Sequence, residues 1–91
     1  DKIACVSVND AFVMQAWGQV SNAEGQIDML SDGNGELAVA LGLEMDGSGF
    51  LMGQRSQRFS MVVDDGVVTQ LNVEAPGEFK VSAAEYMLEQ L

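Results

Sequence analysis

The order of apolar and polar residues along the chain predicts strands and helices in alternation. Residues 3–8 form an apolar run rich in β-branched side chains with almost no polar residue between them, a pattern typical of a strand covered on both faces. Asn9 or Asp10 then supplies the N-cap of a helix that we expect to continue to Gly18. This segment therefore predicts a strand followed by a helix.

A second strand and helix follow in the same order. Residues 27–30 have the length and composition of a short strand. The turn sequence Ser-Asp-Gly-Asn-Gly at residues 31–35 offers N-caps for a helix over residues 36–41. Gly42 can then adopt the left-handed conformation that commonly ends a helix.

The next part of the chain contains a glycine-rich segment and a hairpin signal. Residues 46–57 hold three glycines and little periodicity, which favours a mobile connection of the kind that often carries function. Residues 59–63 and 67–73 are strand-like and flank Asp64-Asp65-Gly66. Because Asp-Gly between such runs is a strong hairpin signal, we expect an antiparallel pair here.

The last helix has the best-marked start in the sequence. Ser82 and Glu85 have the spacing of a capping box, and Val81 with Tyr86 has that of a hydrophobic staple. The apolar stripe of this helix consists of Ala84, Met87, Leu88 and Leu91.

The resulting order, β-α-β-α-β-β-α, predicts an α/β fold with a mixed sheet flanked by helices. Ninety-one residues are enough for one domain. A doubly covered first strand needs a parallel neighbour and a covering layer, and the chain has few elements to spare for them. We therefore expect a single domain over residues 1–91 that is incomplete at its N-terminal side.

Charge and composition exclude several classes of function. Fourteen acidic and four basic residues give a net charge of −10, which would repel nucleic acid and an anionic membrane surface. No apolar run approaches the roughly 18 residues of a membrane span. The absence of His and the single cysteine disfavour a metal site, and we expect no cofactor.

Two separated motifs carry a resemblance to a known family. They are CVSVNDAFV at residues 5–13, followed by AWG at 16–18, and RFSMVV at residues 58–63, followed by an Asp-Gly turn and LNVE at 71–74. Both resemble segments of type II, peroxiredoxin-5-like peroxiredoxins, in which the first follows the active-site helix and the second forms a hairpin. The resemblance covers essentially the whole chain.

The resemblance implies a thioredoxin-like (peroxiredoxin) fold and reduction of hydrogen peroxide or alkyl hydroperoxides by a cysteine thiolate. In that family the thiolate belongs to a Pro-x-x-x-Thr-x-x-Cys motif, which does not occur in these 91 residues. We expect it upstream of Asp1. The resemblance also implies a homodimer, whose surface would include Phe12 and Trp17, although we favour the sheet-packed core for both residues.

Arg58 matches the active-site arginine of the family, because it directly precedes Phe59 at the start of the hairpin. A permanent cation lowers the pKa of a nearby thiol, and a guanidinium fork can bind both peroxide oxygens. Arg55 is expected to be a surface charge. Cys5 lies in an apolar run and is expected to be a small buried hydrophobe.

Some members of the family carry a resolving cysteine near the start of the last helix, where this chain has Val81 and Ser82. This difference suggests a one-Cys mechanism, with glutathione, glutaredoxin or thioredoxin as the external reductant. A single thiol suits a reducing compartment, and we expect a cytoplasmic location, or an organelle in a eukaryote.

Two other functions remain open at the level of the sequence. The missing cysteine motif and the incomplete sheet allow a non-catalytic thioredoxin-fold interaction module. An acidic carrier protein would fit the size and charge, but it needs Asp-Ser-Leu at a helix start, and Leu30-Ser31-Asp32 has the wrong order.

Overall fold

The computed structural model describes residues 2–91, and the chain divides into two compact units, Asp1–Ser56 and Gln57–Leu91. The elements of the first unit are β1 (Ala4–Ser7), α1 (Ala11–Val20), β2 (Asp28–Ser31), α2 (Glu36–Ala40), β3 (Glu44–Asp46), a 3₁₀ turn (Ser48–Phe50) and β4 (Gln54–Ser56). Those of the second unit are β5 (Phe59–Asp64), β6 (Val67–Val73) and α3 (Ala84–Gln90).

The predicted strand-helix-strand order at the start of the chain is confirmed. β1 and β2 pair in parallel, with Cys5 opposite Met29. Helix α1 lies between them in sequence, and its Met14 is 1% exposed. The other buried apolar side chains of this unit are Val8, Ala23, Ala38 and Leu43.

Asp10 is the N-cap of α1, as predicted, and its carboxylate accepts a hydrogen bond from the Val13 amide at 2.9 Å. The helix continues to Val20 rather than ending at Gly18. A Cβ atom at Gly18 would lie 3.0 Å from Cγ of Met29. The glycine therefore serves close packing between α1 and β2, which outweighs its low helix propensity.

Helix α2 is held at its start by a side chain from the preceding turn. The N-cap is Gly35, at φ 73°, and the two carboxylate oxygens of Asp32 accept hydrogen bonds from the amides of Leu37 and Ala38, both at 3.0 Å. Gly42 has φ 71°, so the predicted left-handed stop is confirmed.

The connection predicted over residues 46–57 contains regular secondary structure, because this segment contributes to a short hairpin. β3 pairs antiparallel with β4, and the 3₁₀ turn joins them. The Asp46 carboxylate accepts hydrogen bonds from the hydroxyl and the amide of Ser48, which lower the pKa of Asp46 more than desolvation raises it. Strands of three residues are too short to show an alternating pattern.

The predicted hairpin of the second unit is confirmed. β5 and β6 pair antiparallel across a turn in which Asp65 has φ 51° and Gly66 has φ 77°, as a type I′ turn requires. A β-bulge between Val62 and Val63 shifts the register of the pair.

The predicted capping box of α3 is wrong. The helix begins at Ala84 after an N-cap at Ala83, with no hydrogen bond from a capping side chain. The Ser82 hydroxyl donates to Glu74. Because the N-cap is Ala83, Val81 and Tyr86 do not occupy the staple positions. In the predicted apolar stripe Met87 is half-buried, whereas Leu88 and Leu91 are 69% and 76% exposed.

The described residues thus contain two more strands than predicted, and both parallel and antiparallel pairing occur among them. Among residues 2–91 the strands form three two-stranded ladders, one parallel and two antiparallel. No helix within the same residues combines the length and the apolar character needed to cross a bilayer.

Candidate functional site

The backbone pairing of the hairpin brings Arg58 and Glu74 together. Arg58 immediately precedes β5, Glu74 immediately follows β6, and the Arg58 carbonyl accepts a hydrogen bond from the Glu74 amide at 2.8 Å. Residues directly opposite each other on antiparallel strands project to the same face. A cation and a carboxylate therefore share one face at this end of the hairpin.

Two contacts restrain the exposed side chain of Arg58. Its Nε donates to the hydroxyl of Ser82 at 3.1 Å. Its guanidinium carbon lies 4.1 Å from the centroid of the Phe79 ring, the geometry of a cation–π contact. The guanidinium is thus oriented by neighbouring side chains and remains accessible to a negatively charged ligand.

Glu74 accepts several hydrogen bonds on a single carboxylate oxygen. Its Oε2 receives the amide of Lys80 at 2.8 Å, the amide of Ser82 at 2.9 Å and the hydroxyl of Ser82 at 2.7 Å. The residue is 6% exposed.

The ionisation state of Glu74 follows from these contacts. Burial raises the pKa of the Glu74 carboxyl, but hydrogen bonds from Ser82, Lys80 and Val81 outweigh it and lower the pKa to about 2. The carboxylate is therefore ionised at neutral pH and can only accept hydrogen bonds.

Ser82 connects the two charged groups. A serine hydroxyl has one proton and two lone pairs. Since the ionised Glu74 can only accept, the proton points to Glu74 and a lone pair is left for the Nε proton of Arg58. Arg58 and Glu74 form no direct ion pair in the described part of the chain, where the recorded pair is Lys80 with Glu78 at 3.8 Å.

Reasoning from the sequence singled out Arg58 but missed its supporting residues Glu74, Ser82 and Phe79. The hairpin sequence points only to the end of the second strand as the partner of Arg58, and counting from the turn gives Val73 there rather than Glu74. The spacing of Ser82 to Glu85 predicts only a helix cap. No sequence pattern indicated Phe79, which is 61% exposed.

Cys5 and Arg55 lie in the first unit, and neither matches its expected environment. Cys5 is half-buried rather than buried. Arg55 is half-buried rather than a surface charge, and its Nη2 donates to Oδ1 of Asn9 at 3.0 Å.

The expectation that Phe12 and Trp17 belong to the core is also wrong, because they are 82% and 46% exposed. Both side chains project from α1, whose buried residues are Met14 and Gly18. A role of Phe12 and Trp17 in a dimer surface stays a prediction.

Comparison with known proteins gives the family of this chain. The Redoxin family model matches residues 1–88. The chain is 53% identical over 94 residues to "Peroxiredoxin-2E-2, chloroplastic" of Oryza sativa subsp. japonica, an alignment that covers all of this chain and 42% of that protein.

Two solved structures give the same result. The chain matches the crystal structure of reduced Prx3 in complex with H2O2 from Vibrio vulnificus at 61% identity and a TM-score of 0.93, over 99% of this chain and 56% of that one. It matches peroxiredoxin 5 from Alvinella pompejana at 45% identity and a TM-score of 0.75, over 80% of this chain and 47% of that one. The chain therefore spans about half the length of these relatives.

These matches confirm the thioredoxin-like α/β fold that the sequence predicts. The two motifs that carry the resemblance lie within the matched residues. The chain belongs to the redoxin family and, within it, to the type II, peroxiredoxin-5-like peroxiredoxins.

Proposed function

We propose that the complete protein is a thiol-dependent peroxidase that reduces hydrogen peroxide and alkyl hydroperoxides. Residues 1–91 would be part of a single redoxin domain whose peroxide-attacking cysteine lies upstream of Asp1. The observation that carries the proposal is the exposed, doubly restrained guanidinium of Arg58 in a chain of this family.

The proposed reaction begins with attack of the thiolate on one peroxide oxygen. An S–O bond forms and the O–O bond breaks, so that sulfur is oxidised to a sulfenic acid and the second oxygen leaves as hydroxide or alkoxide. This anion then takes up a proton to give water or an alcohol. Arg58 would stabilise the thiolate before attack and the negative charge on the leaving oxygen during it.

Reduction of the sulfenic acid would use an external thiol. Val81 and Ser82 occupy the positions at which some relatives carry a resolving cysteine, and the Ser82 hydroxyl is bonded to Glu74 and Arg58. One thiol of glutathione, glutaredoxin or thioredoxin condenses with the sulfenic acid to a mixed disulfide and water. A second thiol then releases the reduced enzyme and the oxidised reductant.

The assembly and location belong to the same proposal. The exposed Phe12 and Trp17 on α1 would contribute to a homodimer surface, because large aromatic side chains are enriched at such interfaces. A reducing compartment, the cytoplasm or an organelle, would keep the thiols active. Relatives are named as chloroplastic and mitochondrial proteins.

Stopped-flow measurement of thiol oxidation in the full-length protein tests this function. We expect rapid oxidation by hydrogen peroxide, and a decrease of about 100-fold or more in Arg58→Ala, since one lost charge-stabilising group costs roughly this factor in other enzymes. Lys80→Ala removes a cation that is 75% exposed and serves as the control with an unchanged rate.

Absence of peroxide reduction by the wild-type protein would contradict the proposal and favour the non-catalytic interaction module. An unchanged rate in Arg58→Ala would remove the role of this residue. Cys5→Ser tests the one-Cys mechanism, because loss of turnover together with loss of an intramolecular disulfide in the oxidised protein would show Cys5 to be a resolving thiol.

A further inference from the structure

The hydrogen bonds around Glu74 form a directed chain that ends on Arg58. The carboxylate is held by the amides of Lys80 and Ser82, so that its orientation is fixed by the backbone. It accepts the only hydroxyl proton of Ser82 at 2.7 Å, and the serine oxygen accepts from Nε of Arg58 at 3.1 Å.

An intervening hydroxyl has a different effect from a direct ion pair. A carboxylate in contact with arginine commonly binds two of its N–H groups at once, and would thereby occupy the fork that a peroxide needs. Ser82 binds Nε alone. The guanidinium is consequently oriented through one of its five N–H donors, and the four Nη protons are not used by this contact.

We propose that Glu74 and Ser82 are positioning residues for Arg58: buried Glu74 orients the Ser82 hydroxyl, and this hydroxyl fixes the plane of the guanidinium. The inference rests on the proposed peroxidase function, because the purpose of the fixed plane is to present the Nη fork to the peroxide. Phe79 supports the same orientation from the face of the guanidinium.

The chain of contacts predicts a specific loss when its middle member is removed. In Ser82→Ala, Arg58 keeps its charge but loses the acceptor for Nε. The electrostatic effect on a nearby thiol should persist, whereas alignment of the peroxide should suffer. Attack on peroxide and simple alkylation of the thiolate should therefore respond differently.

The experiment measures two rates in the full-length protein, namely oxidation by hydrogen peroxide and alkylation by iodoacetamide. In Ser82→Ala we expect the peroxide rate to fall about 10-fold, the effect of one hydrogen bond to a charged group. The alkylation rate should stay within about twofold. Ser82→Thr, which retains the hydroxyl, should restore most of the peroxide rate.

Glu74→Gln and Glu78→Gln make the same chemical change at two carboxylates of this unit. Glu74→Gln should lower the ratio of the two rates in the same direction as Ser82→Ala. Glu78, which is 47% exposed and pairs with Lys80, should leave the ratio unchanged. Because the ratio is measured on folded protein, a loss of stability alone does not alter it.

The outcomes separate this inference from the function on which it rests. If the wild-type protein does not react with peroxide, the proposed function fails. If the wild-type protein reacts but Ser82→Ala leaves the ratio unchanged, or Ser82→Thr is as slow as Ser82→Ala, the positioning role is wrong while the peroxidase function stands.

Discussion

The two units of the chain bury different kinds of side chain. All the buried apolar residues belong to the first unit, with Met14 the most completely covered among them, whereas the buried polar residues of the described chain, Asn72 and Glu74, both belong to the second. Burial of apolar side chains stabilises the folded state but is non-directional, so it does not fix the orientation of neighbouring groups. Buried polar groups require partners at defined distances and angles, so they specify the geometry of their neighbours.

Asn72 and Glu74, at the end of β6, hold α3 and the segment before it by hydrogen bonds. They lie two residues apart and therefore project to the same face. Asn72 donates to Oε1 of Gln90 in α3 at 2.6 Å, and Glu74 binds the segment before α3 through Lys80 and Ser82. The segment that restrains Arg58 is thus held by hydrogen bonds rather than by an apolar core.

The largest effect should come from the apolar core of the first unit. Met14→Ala removes a side chain that is 1% exposed and should lower the free energy of unfolding by about 2 to 5 kcal/mol. Met52→Ala, at a position 50% exposed, should change it by less than about 0.5 kcal/mol. Urea unfolding of the full-length protein measures both, and similar losses would contradict the assignment of the core.

The second unit contains a buried carboxyl, Glu74, whose stabilising effect should be lost in acid. The Glu74 pKa lies at about 2 in the folded chain against an ordinary value of 4.5. A carboxyl whose pKa is lowered by folding contributes stability that is complete above the ordinary value and is lost as the pH falls towards the folded value. The loss should therefore begin below about pH 4.5.

Glu74→Gln removes the contribution of this carboxyl to the pH dependence of stability, and Glu78→Gln is the matched control. Urea midpoints of the wild-type protein and the control should fall together as the pH is lowered from about 7 to 3. The urea midpoint of Glu74→Gln should be lower than that of the wild-type protein at about pH 7 and should decrease less as the pH is lowered. Parallel curves for all three proteins would show that the Glu74 carboxylate does not stabilise the second unit.

The hairpin shows what the sequence could predict and where prediction stopped. Asp65-Gly66 and the flanking apolar runs predicted the turn and both strands correctly. Counting back from this turn without a bulge places Val73 opposite Arg58. The bulge between Val62 and Val63 adds one residue on β6, so that Glu74 occupies this position. No glycine marks the bulge, since residues 59–64 and 67–73 contain none.

The polar contacts escaped prediction for a related reason. Ser82 has the spacing of a capping box with Glu85, in which the serine oxygen would accept the Glu85 amide. In the structure this oxygen accepts from Nε of Arg58, and its proton goes to the Glu74 carboxylate. Local spacing predicts local partners. It cannot reveal a competitor that tertiary pairing brings within 2.7 Å.

The smallest changes in the free energy of unfolding are expected at the starts of α1 and α3. Asp10 caps α1 through the Val13 amide at 2.9 Å, and Asp10→Ala should lower the free energy of unfolding by about 1 kcal/mol. Glu85 lies in the first turn of α3, which has no side-chain cap. Glu85→Ala should therefore cost only its interaction with the helix dipole, about 0.3 kcal/mol.

Urea unfolding of the two variants at low and high salt distinguishes a capping hydrogen bond from the interaction of a charge with the helix dipole. The loss in Asp10→Ala should persist at high salt, because a hydrogen bond within the helix end is short-range. The smaller loss in Glu85→Ala should disappear there, because dipole interactions at exposed positions are screened. A loss of about 1 kcal/mol in Glu85→Ala that persists at high salt would restore the capping box. The Ser82 oxygen would then accept from the Glu85 amide as well as from Nε of Arg58, and its control over Arg58 would weaken accordingly.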